Sequence, residues 1–163
     1  AVGPMTGMTT VSQPVLVVLS FLPGALVGRG GPQDSAGPRA VTGIGGVFFK
    51  VDDPARFSAW YREHLGIDAA RPADNFVWRE RDAPDNVGYT VWSPFPRDTG
   101  YFGSSDQPLM INYRVRDLDA LLAKLRAAGV QQVKDIEEYP YGRFAWILDG
   151  EGNRVELWEP AAE

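Results

Sequence analysis

The chain has 163 residues, no cysteine, one histidine, and 16 Lys plus Arg against 21 Asp plus Glu, a formal charge of -5. That length supports one well-buried core and no second ordinary domain. The acidic balance argues against nucleic acid or an anionic membrane surface as partner, and the lack of cysteine excludes disulfides, thiolate metal sites and cysteine nucleophiles, in keeping with a cytoplasmic location.

Residues 1–40 read as a leader or linker. Residues 1–13 are small and polar, Pro14 to Val27 form an apolar run broken by Pro23 and Gly24, and residues 28–40 are rich in Gly and Pro. The run is shorter than the ~20 residues that span a bilayer and has no Lys or Arg before it, so it suits an added strand or short helix at 15–22 better than a membrane or secretory segment. Residues 41–160 read as one domain of two modules, 42–95 and 107–160, followed by a short tail at 161–163.

In the first module Gly45 to Val51 alternates as a strand and ends in Asp52-Asp53, an N-cap signal. Phe57, Trp60, Tyr61 and Leu65 then recur at helical spacing up to Gly66. Two short strands follow at Asn75–Glu80 and Gly88–Trp92, bounded by Pro, Asp and Asn turn signals. The segment from Pro94 to Ser105, with aromatics among glycines, reads as a loop that closes over a pocket or exchanges with a second subunit. The second module repeats the order. It has a strand at Leu109–Val115, an Asp117 cap, a helix at Asp119–Ala128 ending at Gly129, and strands at Val133–Glu138, Arg143–Leu148 and Arg154–Trp158. Glu138 to Arg143 reads as a second lid. The fold class is therefore α+β: two β-α-β-β-β modules sharing one curved mixed sheet, with the ligand site between them.

The duplicated β-α-β-β-β order, the strand-Asp-helix-Leu-Gly-Ile segment and the closing Asp149 to Leu157 segment resemble the vicinal oxygen chelate superfamily. That group includes glyoxalase I, extradiol dioxygenases, methylmalonyl-CoA epimerase and the bleomycin-binding resistance proteins. The resemblance covers about residues 42–160. It implies a cup in which catalytic members hold a divalent cation with ligands from the first and last strands of each module. At the matching positions this chain has Gly46, then Tyr89, Thr90 or Trp92, then Met110, and only Glu156 fits the pattern. One carboxylate seldom holds a cation alone. His64, beside Glu63 at the helix end, reads as an outward residue. The expectation is no metal and no other cofactor, with Glu156 as the single ligand if a cation binds.

Period-two alternation places Arg154 and Trp158 on the cup face with Glu156, and Gly46, Phe48 and Lys50 on the cup face of the first strand. Met110, Asn112 and Arg114 face them, and the resemblance adds Phe144 and Trp146. The expected ligand site is Phe48, Lys50, Trp92, Asn112, Arg114, Trp146, Arg154 and Trp158, with Glu156 paired to Arg114 or Lys50. Such a pocket suits a small aromatic or amphipathic molecule whose carboxylate or phosphate meets Lys50 or Arg114. The leading reading is a metal-free binding protein, expected as a homodimer. One alternative is a metal-dependent glyoxalase-like lyase, isomerase or dioxygenase with Glu156 as both ligand and catalytic base; another is a structural dimer module whose cup is filled by its own side chains.

Overall fold

A computed structural model describes residues 39–71, 76–104 and 106–162. The leader reading at 1–40, with its added strand at 15–22, lies outside the described residues except at its last two positions. In chain order the elements are β1 (Val41–Val51), α1 (Pro54–Leu65), β2 (Val77–Arg79), β3 (Val87–Tyr89) and β4 (Val91–Pro96). A 3-10 turn at Gly100–Phe102 leads to β5 (Leu109–Val115), α2 (Leu118–Ala127), β6 (Gln132–Tyr139), β7 (Gly142–Leu148) and β8 (Arg154–Pro160). Among the described residues no helix is long and apolar enough to cross a membrane.

The helices begin and end where local chemistry dictates. Asp53 and Asp117 each accept a hydrogen bond from the backbone N–H three residues on, at 2.9 Å, so both caps satisfy a donor that the first helical turn leaves open. Gly66 closes α1 at φ 71°, a left-handed conformation that costs glycine nothing.

Six strands form one mixed curved sheet in the order β4-β1-β5-β8-β7-β6, and β2 and β3 pair as a separate ribbon. In each module the first strand lies parallel to the last, β1 beside β4 and β5 beside β8, and the modules join through the antiparallel β1–β5 pair. The second module keeps all four of its strands in the sheet, whereas the first contributes only β1 and β4. A single residue, Thr90, separates β3 from β4; its hydroxyl donates to the Ile44 carbonyl at 2.6 Å and accepts from the Trp78 indole at 3.0 Å. These bonds tie the ribbon to the start of β1.

The two sheet faces bury different side chains. Leu118 and Leu122 of α2 pack on Val115, Ala145, Ile147 and Leu157. Under α1 the packing is aromatic, with Phe57 stacked on Trp92 at 5.1 Å and Phe49 and Tyr61 against the same indole. The opposite face, the cup, holds Phe48, Phe102, Met110, Phe144, Trp146 and Trp158.

Candidate functional site

The cup is filled at one end and open at the other. The 3-10 turn between the modules lays Phe102 fully into the core and stacks Tyr101 on Phe95, with ring centroids 5.0 Å apart. The loop expected as a lid is thus in part a plug. Beyond it remains a cavity of about 250 Å³, walled by Phe48, Tyr89, Val91, Tyr101, Phe144 and Trp158. Asn112 and Glu156 stand on its inner wall, and Glu137, Tyr139 and Tyr141 at its β6–β7 side. Tyr139 and Tyr141 stack in parallel at 5.3 Å and stay about half exposed.

Glu156 is the polar centre of the site. It is 1% exposed, projects from the middle of β8, and its carboxylate meets three neutral donors. Asn112 Nδ2 donates to Oε1 at 2.6 Å, while the Tyr101 hydroxyl at 2.5 Å and Trp146 Nε1 at 2.7 Å both donate to Oε2. Burial pushes the carboxyl above its ordinary value, and the three hydrogen bonds and the charge of Arg154 oppose that shift without cancelling it. Burial and the adjacent carboxylate push the Tyr101 phenol upward as well, which keeps it a proton donor.

A bulge in β1 makes room for this network. The register against β5 slips between Ile44 and Gly46, so Gly45 is the extra residue opposite Asn112. A Cβ on Gly45 would lie 2.2 Å from Asn112 Oδ1 and 2.8 Å from the Trp158 ring. Gly45→Ala is therefore expected to turn Asn112 off Glu156 and to cost about 1–3 kcal/mol of stability by overpacking, read as a lower denaturant midpoint with unchanged slope.

The sequence model of the Glyoxalase/Bleomycin resistance protein/Dioxygenase superfamily matches residues 43–157. The chain belongs to this superfamily. Among solved structures it is similar to methylmalonyl-CoA epimerase from Mycobacterium tuberculosis, at 25% identity and TM-score 0.50 over 76% of this chain and 91% of that one. A Streptomyces coelicolor methylmalonyl-CoA epimerase variant in complex with 2-nitronate-propionyl-CoA is similar at 17% identity and TM-score 0.55, over 75% of this chain and 99% of that one. That second likeness is one of fold. No curated protein matches the chain closely enough to count as a relative.

Of the positions that the resemblance assigns to a cation's ligands, only Glu156 carries a carboxylate, and Gly46 and Met110 offer neither carboxylate nor imidazole. A Cβ on Gly46 would meet the Phe48 ring at 2.6 Å, so that ring covers the place from which a first-strand ligand would reach. Met110 is buried among the cup aromatics, and both oxygens of Glu156 already accept hydrogen bonds from protein donors. Among the described residues no three His, Cys, Asp or Glu side chains gather as a cation site.

Of the ligand-site residues expected from sequence, Phe48, Asn112 and Trp158 line the cavity together with Glu156. Trp146 sits behind the wall, 1% exposed, and reaches the site only through its bond to Glu156. Four of the expected ligand-site residues lie elsewhere. Trp92 packs on Phe57 of α1, on the other face of the sheet, because in β4 it is Val91 and Phe95 that point into the cup. Arg114 lies on the cup face but beyond the cavity, stacked on Trp78 at 5.7 Å and ion-paired with Glu80. Lys50 lies over the Phe102 ring at 5.2 Å, at the plugged end, and Arg154 stacks on Trp146 at 5.5 Å. Glu156 is accordingly held by neutral donors and pairs with neither Arg114 nor Lys50. Tyr101, Tyr89, Tyr139 and Tyr141 are wall residues that the strand alternation did not single out.

Proposed function

We propose that this superfamily member binds a small flat aromatic or amphipathic molecule in the open half of its cup and does so without a divalent cation. The observation that carries the reading is the pairing of aromatic walls with a buried carboxylate whose oxygens are already taken by Tyr101, Asn112 and Trp146. Flat rings bury much apolar area per rotatable bond, and a few fixed polar groups then set orientation. A volume near 250 Å³ limits the buried part of the ligand to one or two rings. A homodimer belongs to the same proposal, supported by the exposed apolar side chains Val41, Ile44, Val77 and Val87.

Titration of the full chain with 1-naphthol is expected to quench tryptophan fluorescence saturably, through Trp158 in the wall. Tyr141→Ala, at a half-exposed rim position where folding is not at stake, is expected to weaken that binding by about three- to tenfold. Quenching that never saturates, and that is the same in the variant, would remove the reading.

A second reading is favoured by one observation. Glu156 touches the cavity and its carboxyl is raised by burial, which suits a proton-transfer group. The solved relatives include a methylmalonyl-CoA epimerase in complex with methylmalonyl-CoA. Solvent deuterium entering methylmalonyl-CoA in the presence of this chain, and lost in Glu156→Gln, would establish that reading in place of the first.

A further inference from the structure

We infer that the molecule taken up by this cavity is an organic cation, a flat ring carrying a protonated nitrogen with N–H groups of the amidinium or arylammonium class. The inference rests on the binding reading above and gives it a charge. Its basis is the polarity of the wall. Lys134 lies over the Trp146 ring at 4.7 Å and pairs with Glu137, and the basic residues that strand alternation puts on the cup face are placed elsewhere: Arg114 on Glu80, Lys50 over Phe102, Arg154 against Trp146. None of the three lines the cavity.

What the wall does offer is acceptors and ring faces. Glu156 sits on the inner side, and Asn112 beside it is 2% exposed. The Asn112 amide nitrogen is committed to Glu156, which leaves its Oδ1 buried with no hydrogen-bond partner. A buried acceptor without a donor is costly, and a ligand N–H is the group that relieves it. Oδ1 also faces Gly45, a position on the cavity wall where a side chain would have filled the space.

The rings complete the case. Tyr139 and Tyr141 stand at the side of the cavity, edge-on to Phe144 at 5.7 Å, and Phe144 lies parallel to Trp158 at 6.2 Å. Electron-rich faces on several sides of a small space attract a cation by their quadrupoles. Glu137, beside them, is shared with Lys134 and accepts from the Tyr139 hydroxyl at 3.0 Å, so Asn112 Oδ1 is the acceptor left for the nitrogen, with the Glu156 carboxylate beside it. A carboxylate in the same place would meet Glu156 and an orphan acceptor with no basic group on the wall.

Three near-isosteric probes separate charge from shape: benzamidine, benzamide and benzoate, each titrated into the full chain and followed by the tryptophan indole N–H resonances. Benzamidine is expected to bind saturably and about tenfold or more tighter than benzamide, with benzoate not binding. Equal affinities, or benzoate as tight as benzamidine, would overturn the inference while leaving an aromatic-binding cup. If none of the three binds, 1-naphthol decides what has failed: binding of 1-naphthol leaves the cup and refutes the cation, and no binding of any probe refutes both.

Discussion

Glu156→Ala is expected to lower the unfolding free energy by about 3–5 kcal/mol at neutral pH. The carboxylate is 1% exposed and satisfies Asn112 Nδ2, the Tyr101 hydroxyl and Trp146 Nε1. Alanine leaves all three as buried donors facing a void, and each such donor costs about 1–3 kcal/mol, partly offset by losing a buried charge. Glu156→Gln keeps the volume and one acceptor oxygen, so its loss should be smaller, about 1–2 kcal/mol. The pH signature separates the ionised carboxylate from simple packing. Because burial raises the folded carboxyl above its ordinary value of 4.5, its contribution is fully present below that value and is lost as pH rises through the folded one. Wild type should therefore gain stability relative to Glu156→Gln as the solution goes from neutral to about pH 4. Denaturant melts of the two proteins across that range check this, and a difference that stays flat or shrinks would show that the three donors outweigh burial at this carboxyl.

Glu80→Ala should be nearly as damaging, at about 3 kcal/mol, for a different reason. Glu80 follows β2, is 5% exposed, and binds Arg114 on one oxygen and Arg116 Nη2 on the other at 2.9 Å. Removing it leaves Arg114, 16% exposed and stacked on Trp78, without a counter-charge, while Arg116 at 44% can turn to water. The cost falls mainly on the join between the ribbon and β5, so hydrogen exchange should quicken first at the Glu80 and Thr90 amides. Burial alone would raise this carboxyl, but the hydrogen bonds and charges of Arg116 and Arg114 outweigh it and hold the group below 4.5. Its contribution is present above that value and lost as pH falls through the folded one. The gap between wild type and Glu80→Gln should thus close in acid, the reverse of the Glu156 pair. Matching signs for the two residues would show that one of these electrostatic assignments is wrong.

The architecture was legible because its signals are local and repeated. Asp53 and Asp117 cap their helices as their spacing implies, Gly66 takes the left-handed conformation that ends α1, and Glu156 faces inward by strand alternation. The site was legible only in part, since face and position along a strand are separate matters. Arg114 and Lys50 do lie on the cup face, yet the ribbon claims one and the inter-module plug the other. Glu80, the residue that captures Arg114, sits in the charged run Arg79 to Asp82, where nothing local marks it as buried. Trp92 falls on the opposite face because both faces of β4 carry large apolar side chains, so hydrophobicity alone does not give its phase across the break at Thr90. Tyr101 lies in a loop whose aromatics were conspicuous, but which of them would reach Glu156 depends on the path of the whole connection.

Glu156 is held by three protein donors, one of them the Trp146 indole N–H, which makes that group a direct reporter for the proposal that the cup works without a cation. In a nitrogen-15 spectrum of the full chain, with the Trp146 signal assigned by Trp146→Phe, manganese(II) is added to one equivalent. The Trp146 resonance is expected to stay sharp and unshifted, and the thermal midpoint not to move. Selective loss of that signal by paramagnetic broadening at stoichiometric metal, reversed by chelator and accompanied by a raised midpoint, would contradict the proposal.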